Sequence, residues 1–406
     1  MSASRHTVTF VMITIFLDAM GFGLIMPVLP RLLMRVGEIG LDQAISVGAW
    51  MSLAMALATF FAAPVLGNLS DALGRRPVLL IALGGMAAHY AVLAVADSLA
   101  LIVLGRVLTG VFGGSFAPAQ AAIADVTGPD QRARNFGLVS AAFGVGFVAG
   151  PALGGLLSQF GERTPFVVAL VLSAANFVYG LVLFPETLAR DNRRPFAIAR
   201  ANPFGAWRFT QTIPGMARLA LVLLAWQIAS LVYPLTWSFW GIAQLGWSDR
   251  MIGLSLAGVG VVIALSQTFM TGPLVKRLGE RDAATLGILG ACAGFIGFAF
   301  STQTWQAFAL LAAVALQSLV QPSLMAMLSR GATPQTQGEV QGVAAMMMGL
   351  GAIISPLLLV APMSWLTGSR APIYFPGVAF VIAALIALAA LALLRGVPRR
   401  ETPAKS

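Results

Sequence analysis

Charge is scarce in this chain. Asp, Glu, Lys and Arg make up 10% of its 406 residues, where a soluble domain carries about 25%. With 58% of the residues hydrophobic, this excludes a soluble enzyme and a disordered chain. The single cysteine, Cys292, forms no internal disulfide and no thiolate cluster, which excludes a disulfide scaffold. Two histidines, His6 and His89, are too few for most imidazole metal sites, and no metal is expected. No GxxxxGK[ST] loop occurs, so nucleotide drive is not expected and no cofactor is implied. The formal net charge of +10 raises nucleic acid as a partner. The basic residues, however, lie in short loops between apolar runs, which excludes it.

What the chain has is long apolar sequence. About twelve stretches reach the roughly 20 residues that cross a hydrocarbon core. They lie near 8–30, 45–67, 78–96, 99–124, 136–158, 164–184, 216–239, 250–273, 283–301, 304–328, 339–361 and 372–395. Each is too continuous to be one face of a soluble amphipathic helix, and none alternates with the period of two that a barrel requires. The expected fold is all-α, a polytopic membrane protein. The first stretch is too long and too weakly cationic for a cleaved signal and reads as a retained span. With the N-terminus inside, 19 Lys and Arg residues fall in inside segments and 5 outside. That places both termini in the cytoplasm. Trp50, Trp237, Trp240, Trp247, Trp305 and Trp365 fall at outer span ends, as an interfacial belt does.

The longest polar segment, about 185–215, is basic and holds Pro185, Pro195, Pro203 and Pro214. It divides the chain into a six-helix unit at 1–184, a cytoplasmic linker at 185–215, a second six-helix unit at 216–395 and a tail at 396–406. An internal repeat supports this division. Gly67, Leu69, Leu73, Gly74 and Arg76 recur as Gly272, Leu274, Leu278, Gly279 and Arg281, at an offset of 205. The same offset carries Gly137, Gly144, Gly146 and Pro151 onto Gly342, Gly349, Gly351 and Pro356. Duplicated membrane halves that rock about a central site are a transporter design.

The segment from Gly67 through Asp71, Gly74, Arg75 and Arg76 to Pro77 resembles the hallmark motif between spans 2 and 3 of the major facilitator superfamily. Leu104-Gly-Arg106-Val-Leu-Thr-Gly110 resembles its span 4 motif. The segment holding Gly146, Gly150, Pro151, Gly154 and Gly155 resembles the span 5 motif associated with antiporters. The opening run from Leu17-Asp18 through Gly21, Gly23 and Pro27 to Pro30 is similar to that of the tetracycline-resistance type of twelve-span drug/proton antiporters. The resemblance covers essentially the whole chain. It implies a proton-coupled transporter, not an enzyme, that exports a small hydrophobic or amphipathic compound by alternating access. Its partners are that compound, protons and the lipid bilayer of a bacterial inner membrane, and it works as a monomer. Proton-coupled movement of a metabolite on the same fold is the alternative, and an intramembrane enzyme a remote one. Three positions depart from the pattern the resemblance implies. A span 8 histidine falls near Ile263, a span 9 acid falls near Ala291, and a span 3 acid is replaced by His89. Losing acids argues against a tetracycline–cation chelate as substrate.

Among the fifteen acids, Asp18 is the one placed far from any expected helix end. Ten residues into its span, it lies about 15 Å deep. Insertion there costs about 2.5–3.5 kcal/mol, and such groups are functional by default. Desolvation disfavours its charged form and a facing cation favours it, so it can load and release a proton. The plainer reading is a structural hydrogen bond. Arg106, about 10 Å deep in span 4, cannot deprotonate and needs a partner. His89 reads either as a proton relay or as a neutral hydrogen-bonded core residue.

Asp71, Arg75 and Arg76 sit at helix ends, where charges complement dipoles, and Gly74 supplies the turn. The resemblance implies a conformational latch that Asp125 either joins or leaves to solvent. The second half carries Lys276 at the repeat position of Asp71. Gln120, Asn176, Gln227, Gln317 and Gln321 also reach central depth. They are candidates for a substrate cavity or for helix–helix hydrogen bonds.

Overall fold

The computed structural model describes residues 2–198, 202–330, 332–333 and 336–398. Most of the 396–406 tail thus lies outside the described residues, which contain helices and no strand. In the first half lie α1 (Ser2–Gly37), α2 (Leu41–Leu73), α3 (Arg75–Val95), α4 (Leu99–Phe112), α5 (Phe116–Val126), α6 (Pro129–Leu157) and α7 (Thr164–Leu183). After a segment of short 3₁₀ turns come α8 (Met216–Ser230), α9 (Val232–Leu245), α10 (Asp249–Leu265), α11 (Gly272–Leu278) and α12 (Glu280–Phe300). The chain then continues through α13 (Thr304–Ala309), α14 (Leu311–Gln317), α15 (Val320–Ser329), α16 (Gln337–Ser355), α17 (Ala361–Thr367) and α18 (Val378–Arg395). Several of these are segments of one crossing. Among the described residues, eleven helices are long and apolar enough to cross a membrane.

The fourth crossing differs from a single uninterrupted run. It is split into α4 and α5 by a 3₁₀ turn at Gly113–Ser115, where Gly113 and Gly114 weaken the helix. Two other crossings contain π-helical turns, Ser266–Thr271 between α10 and α11 and Pro356–Val360 between α16 and α17. The Thr271 hydroxyl donates to the Ser266 carbonyl at 3.1 Å, which gives that carbonyl a partner within the π turn. Helix ends follow local chemistry. Ser98 and Ser248 cap the α4 and α10 N-termini by accepting from Leu101 N and Met251 N. The sharp breaks between α2 and α3 and between α11 and α12 fall at Gly74 (φ +110°) and Gly279 (φ +82°), where a side chain would be strained.

The repeat is visible in side-chain roles. Arg76 donates to the Leu181 carbonyl at 2.8 Å, at the C-terminal end of α7. Its repeat mate Arg281 donates to the Leu394 and Arg395 carbonyls, at 2.9 and 2.7 Å, at the end of α18. Both place a cation on orphan carbonyls at the negative end of a helix dipole.

α6 joins α1 to α10. A Cβ at Gly146, Gly150 or Gly154 would overlap the carbonyl oxygens of Phe16, Met20 and Leu24 in turn. Repeating every four residues, these glycines lay α6 directly on the α1 backbone at the level of Asp18. On its other side, a Cβ at Gly155 would lie 2.7 Å from the Asp249 carbonyl, and one at Gly253 would overlap the Pro151 carbonyl. α6 is therefore packed between α1 and α10.

Candidate functional site

Asp18 is half-buried on α1 and borders a cavity of about 10 Å³, close to the space one water molecule needs. Gly21, Tyr90, Ser173 and Asn176 line the same cavity. The Tyr90 side chain crosses from α3 onto α1, and a methyl on Gly21 would overlap its hydroxyl. The phenol is within electrostatic reach of both Asp18 and Arg106. Arg106 is 8% exposed, and its Nε has no hydrogen-bond partner. Four of the residues that matter thus come from three helices, α1, α3 and α4.

His89 is fully buried. Its Nδ1 lies 2.7 Å from the Gly105 carbonyl, which only accepts, so Nδ1 carries a proton and donates. Nε2 is buried without a partner. Of the two sequence readings, this geometry favours a histidine held on the α4 backbone. Its ring also packs against Tyr90 at 4.7 Å between centroids.

Asn176 joins the Asp18 neighbourhood, donating to the Thr14 hydroxyl at 3.2 Å. The glutamines do not form one cluster with it. Gln120 is half-buried on α5, Gln227 packs on Gly351, Gln317 Oε1 is buried without a partner, and Gln321 points its amide at Met348 sulfur, 3.9 Å away.

At the end of the molecule that carries the α2–α3 turn, Arg75 is 9% exposed. It bonds Asp71 at 2.5 Å, Asp125 at 3.1 Å and the Ser70 hydroxyl at 3.1 Å. Asp125 is thereby brought to the motif. Sequence reasoning missed Glu186. Its carboxylate accepts from the first two amides of α3, Arg75 N at 2.8 Å and Arg76 N at 3.4 Å. It is a charge-assisted cap on the positive end of a dipole. Glu186 also pairs with Arg193 at 3.6 Å, Arg194 N donates to the Asp71 carbonyl at 3.0 Å, and Asn68 donates to the Ala197 carbonyl at 2.6 Å. The start of the polar segment is thus strapped over the motif. Gly74 is required twice, for its φ and because a Cβ there would overlap the Glu186 carboxylate. Gly67 has nothing within 4 Å of where a Cβ would sit. Glu186→Ala is expected to release this strap. Limited trypsin digestion should cut at Arg190 or Arg193 at least about tenfold faster, since losing a charge-assisted bond costs about 1.5–3 kcal/mol.

The second half repeats the motif with three of its charges reversed and Arg76 kept as Arg281. At the 205-residue offset, Glu280 stands for Arg75 and Arg330 for Asp125. They pair at 2.9 Å, and Lys276 stands for Asp71. The expected asymmetry is therefore an inversion of sign.

The opposite end is sealed between halves. Arg31 on α1 pairs with Asp249 on α10 at 2.8 Å and lies 3.4 Å from the Trp247 carbonyl. Ser238 donates to the Met26 carbonyl, and Ser364 to the Asp42 carbonyl, each at 2.7 Å. Nothing in the sequence distinguished Arg31 from other loop cations. Towards the α2–α3 end, Gly137 and Gly144 on α6 and Gly272 on α11 have nothing within 4 Å of their Cβ positions. The Arg31 end is held closed by side-chain bonds between α1 and α10, α1 and α9, and α2 and α17.

The model of the Major Facilitator Superfamily matches residues 11–356 and 221–406. The chain belongs to the major facilitator superfamily. It is 38% identical over 400 residues to the class C tetracycline resistance protein of Escherichia coli, covering 98% of this chain and 99% of the relative. It is 36% identical to the class G protein of Vibrio anguillarum, over 96% and 98% of the two chains. Among solved structures, the nucleoside transporter NupG superposes with a TM-score of 0.78 at 14% identity, covering 97% of this chain and all of that one. That likeness shows the fold alone. The protein is a multi-pass membrane transporter of small molecules and not an enzyme.

Proposed function

We propose that this transporter exports a small hydrophobic or amphipathic compound in exchange for protons, by alternating access, across a bacterial inner membrane. On this reading both termini and the α2–α3 turn face the cytoplasm, and the end sealed by Arg31 and Asp249 faces outward. The observation that carries it is the placement of Asp18. It is the acid set mid-length in a helix, beside a small cavity and near a buried arginine.

Asp18 acts by competition. With a proton on it, the carboxyl is neutral and the halves can rearrange without moving a bare charge through low dielectric. Without the proton it offers a site for a cationic or hydrogen-bonding group of the cargo. His89, tied to the Gly105 carbonyl, serves as a support for α4 and not as the carrier. A proton entering down the membrane potential releases about 2.3 kcal/mol per 100 mV, which sustains about a 40-fold gradient of a neutral solute.

The relatives' names point to tetracyclines. Here Ile263 and Ala291 stand near positions where the resemblance implies a histidine and an acid, and Asp18 is left as the acid at that depth. A neutral or monocationic amphipath fits this better than a metal chelate. The test is drug susceptibility of an efflux-deficient bacterial strain across tetracyclines, fluoroquinolones, phenicols, dyes and biocides. At least a fourfold rise in inhibitory concentration for one class is the expected result, an order-of-magnitude figure in line with the gradient above. No rise for any class would overturn drug export and favour a metabolite cargo on the same fold.

A further inference from the structure

We propose that Tyr90 is a positioning residue for proton exchange, its phenol holding the Asp18 carboxyl and joining it to Arg106. This rests on Asp18 being the proton carrier, and it assigns the setting of that carboxyl to a neutral side chain. Three observations converge on the phenol. It crosses from α3 to lie on Gly21, three residues and so about one helical turn beyond Asp18 on the same face of α1. It lines the same cavity as Asp18. It is also within reach of both the acid and the cation, which come from different helices.

The charged and titratable groups around it are few. α1 brings Asp18, α4 brings Arg106 and α3 itself brings His89, while α7 brings the neutral Ser173 and Asn176 to the cavity. His89 is committed to the Gly105 carbonyl through Nδ1. That bond also fixes the α3–α4 spacing one residue from Arg106. A phenol is a suitable link because it donates through its O–H and accepts through its oxygen. It can donate to a carboxylate and accept from a guanidinium at once. When Asp18 takes up a proton, the phenol can turn its oxygen to accept from the new O–H. A change of one proton on α1 is then felt at Arg106 on α4 without either charge moving.

Gly21 completes the arrangement. It leaves the gap in the α1 surface that the hydroxyl occupies, so any side chain there displaces the phenol without altering a charge.

The test is an infrared pH titration of the full-length protein in lipid nanodiscs, which needs no knowledge of the cargo. The Asp18 band is the protonated-carboxyl C=O stretch that is absent in Asp18→Asn. In Tyr90→Phe, which keeps the ring packing on His89, the proposal expects this band at higher wavenumber. Its pH midpoint should be displaced by about one unit, the scale of one charge-assisted hydrogen bond. Gly21→Ala, which keeps the phenol but moves it, is expected to change the same two quantities in the same sense. It also serves as the test should Tyr90→Phe fail to fold. Wild-type frequency and midpoint in the folded variant would overturn the role of Tyr90 while leaving Asp18 as carrier. A titration in which Asp18→Asn removes no band would overturn the Asp18 reading and the Tyr90 proposal together.

Discussion

Gly253→Leu is expected to abolish transport while leaving the protein folded in the membrane. The hydrogen at Gly253 is what allows α10 to rest on α6. A Cβ there would overlap the Pro151 carbonyl and lie 3.0 Å from Gly155 Cα. Backbone atoms on both sides leave a leucine no rotamer that avoids contact, and forcing a packed interface open costs about 1–3 kcal/mol or more. The cost falls on the sealed conformation alone, because the glycine faces the opposite half and not its own. The Arg31–Asp249 pair and the Ser238 and Ser364 hydrogen bonds lie at the same end and would be pulled apart with it. A cost of about 3 kcal/mol shifts a two-state equilibrium more than 100-fold, enough to hold the molecule open at the Arg31 end. Thiol labelling checks this directly. In a Cys292→Ala background, Ser238→Cys is expected to react slowly with a membrane-impermeant maleimide and at least tenfold faster once Gly253→Leu is added. Equal labelling, with transport retained, would mean that this end does not open and close in the cycle.

The second large effect is expected at Asp18. Asp18→Asn removes the proton site with almost no change of volume, so the fold and the α1–α6 contact at Gly146, Gly150 and Gly154 should survive. What is lost is the obligation to carry a proton. Accumulation of cargo against a gradient should fall to background, a loss of about 40-fold at 100 mV. Exchange of labelled for unlabelled neutral cargo across the membrane, which needs neither net proton movement nor a carboxylate to bind it, should remain within a few-fold of wild type. Loss of exchange as well would make Asp18 a structural residue and would return the carrier role to be sought elsewhere.

Much of the architecture was legible because a crossing helix leaves a one-dimensional signature of about 20 apolar residues. The duplicated 205-residue register was legible for the same reason. It even contained the inverted motif, since Glu280 and Arg330 stand where the register places Arg75 and Asp125. The glycines of α6 announced a close helix contact, yet their partners were not readable. That Gly146 meets Phe16 and Gly253 meets Pro151 depends on which non-neighbouring helices pack, and periodicity does not encode that. Glu186 was hidden in a polar segment 111 residues from the amide it caps. Its one local signal was an acid immediately after an apolar run, where the helix dipole favours cations. Arg31 and Asp249 were hidden by the reverse problem, since loop charges near a membrane surface are common. The splitting of the fourth crossing at Gly113–Ser115 was legible only as a glycine pair, which membrane helices tolerate often.

On the proposed mechanism, cargo movement and proton movement are the same event at Asp18. The most direct measurement uses inside-out membrane vesicles acidified by respiration, with a fluorescent amine reporting the pH gradient. Each compound that gives resistance is added in turn to vesicles holding wild type or Asp18→Asn. Such a compound is expected to collapse part of the gradient with wild type and to leave it unchanged with Asp18→Asn. A compound accumulated by wild type with no effect on the gradient, or equal collapse with both proteins, would contradict it.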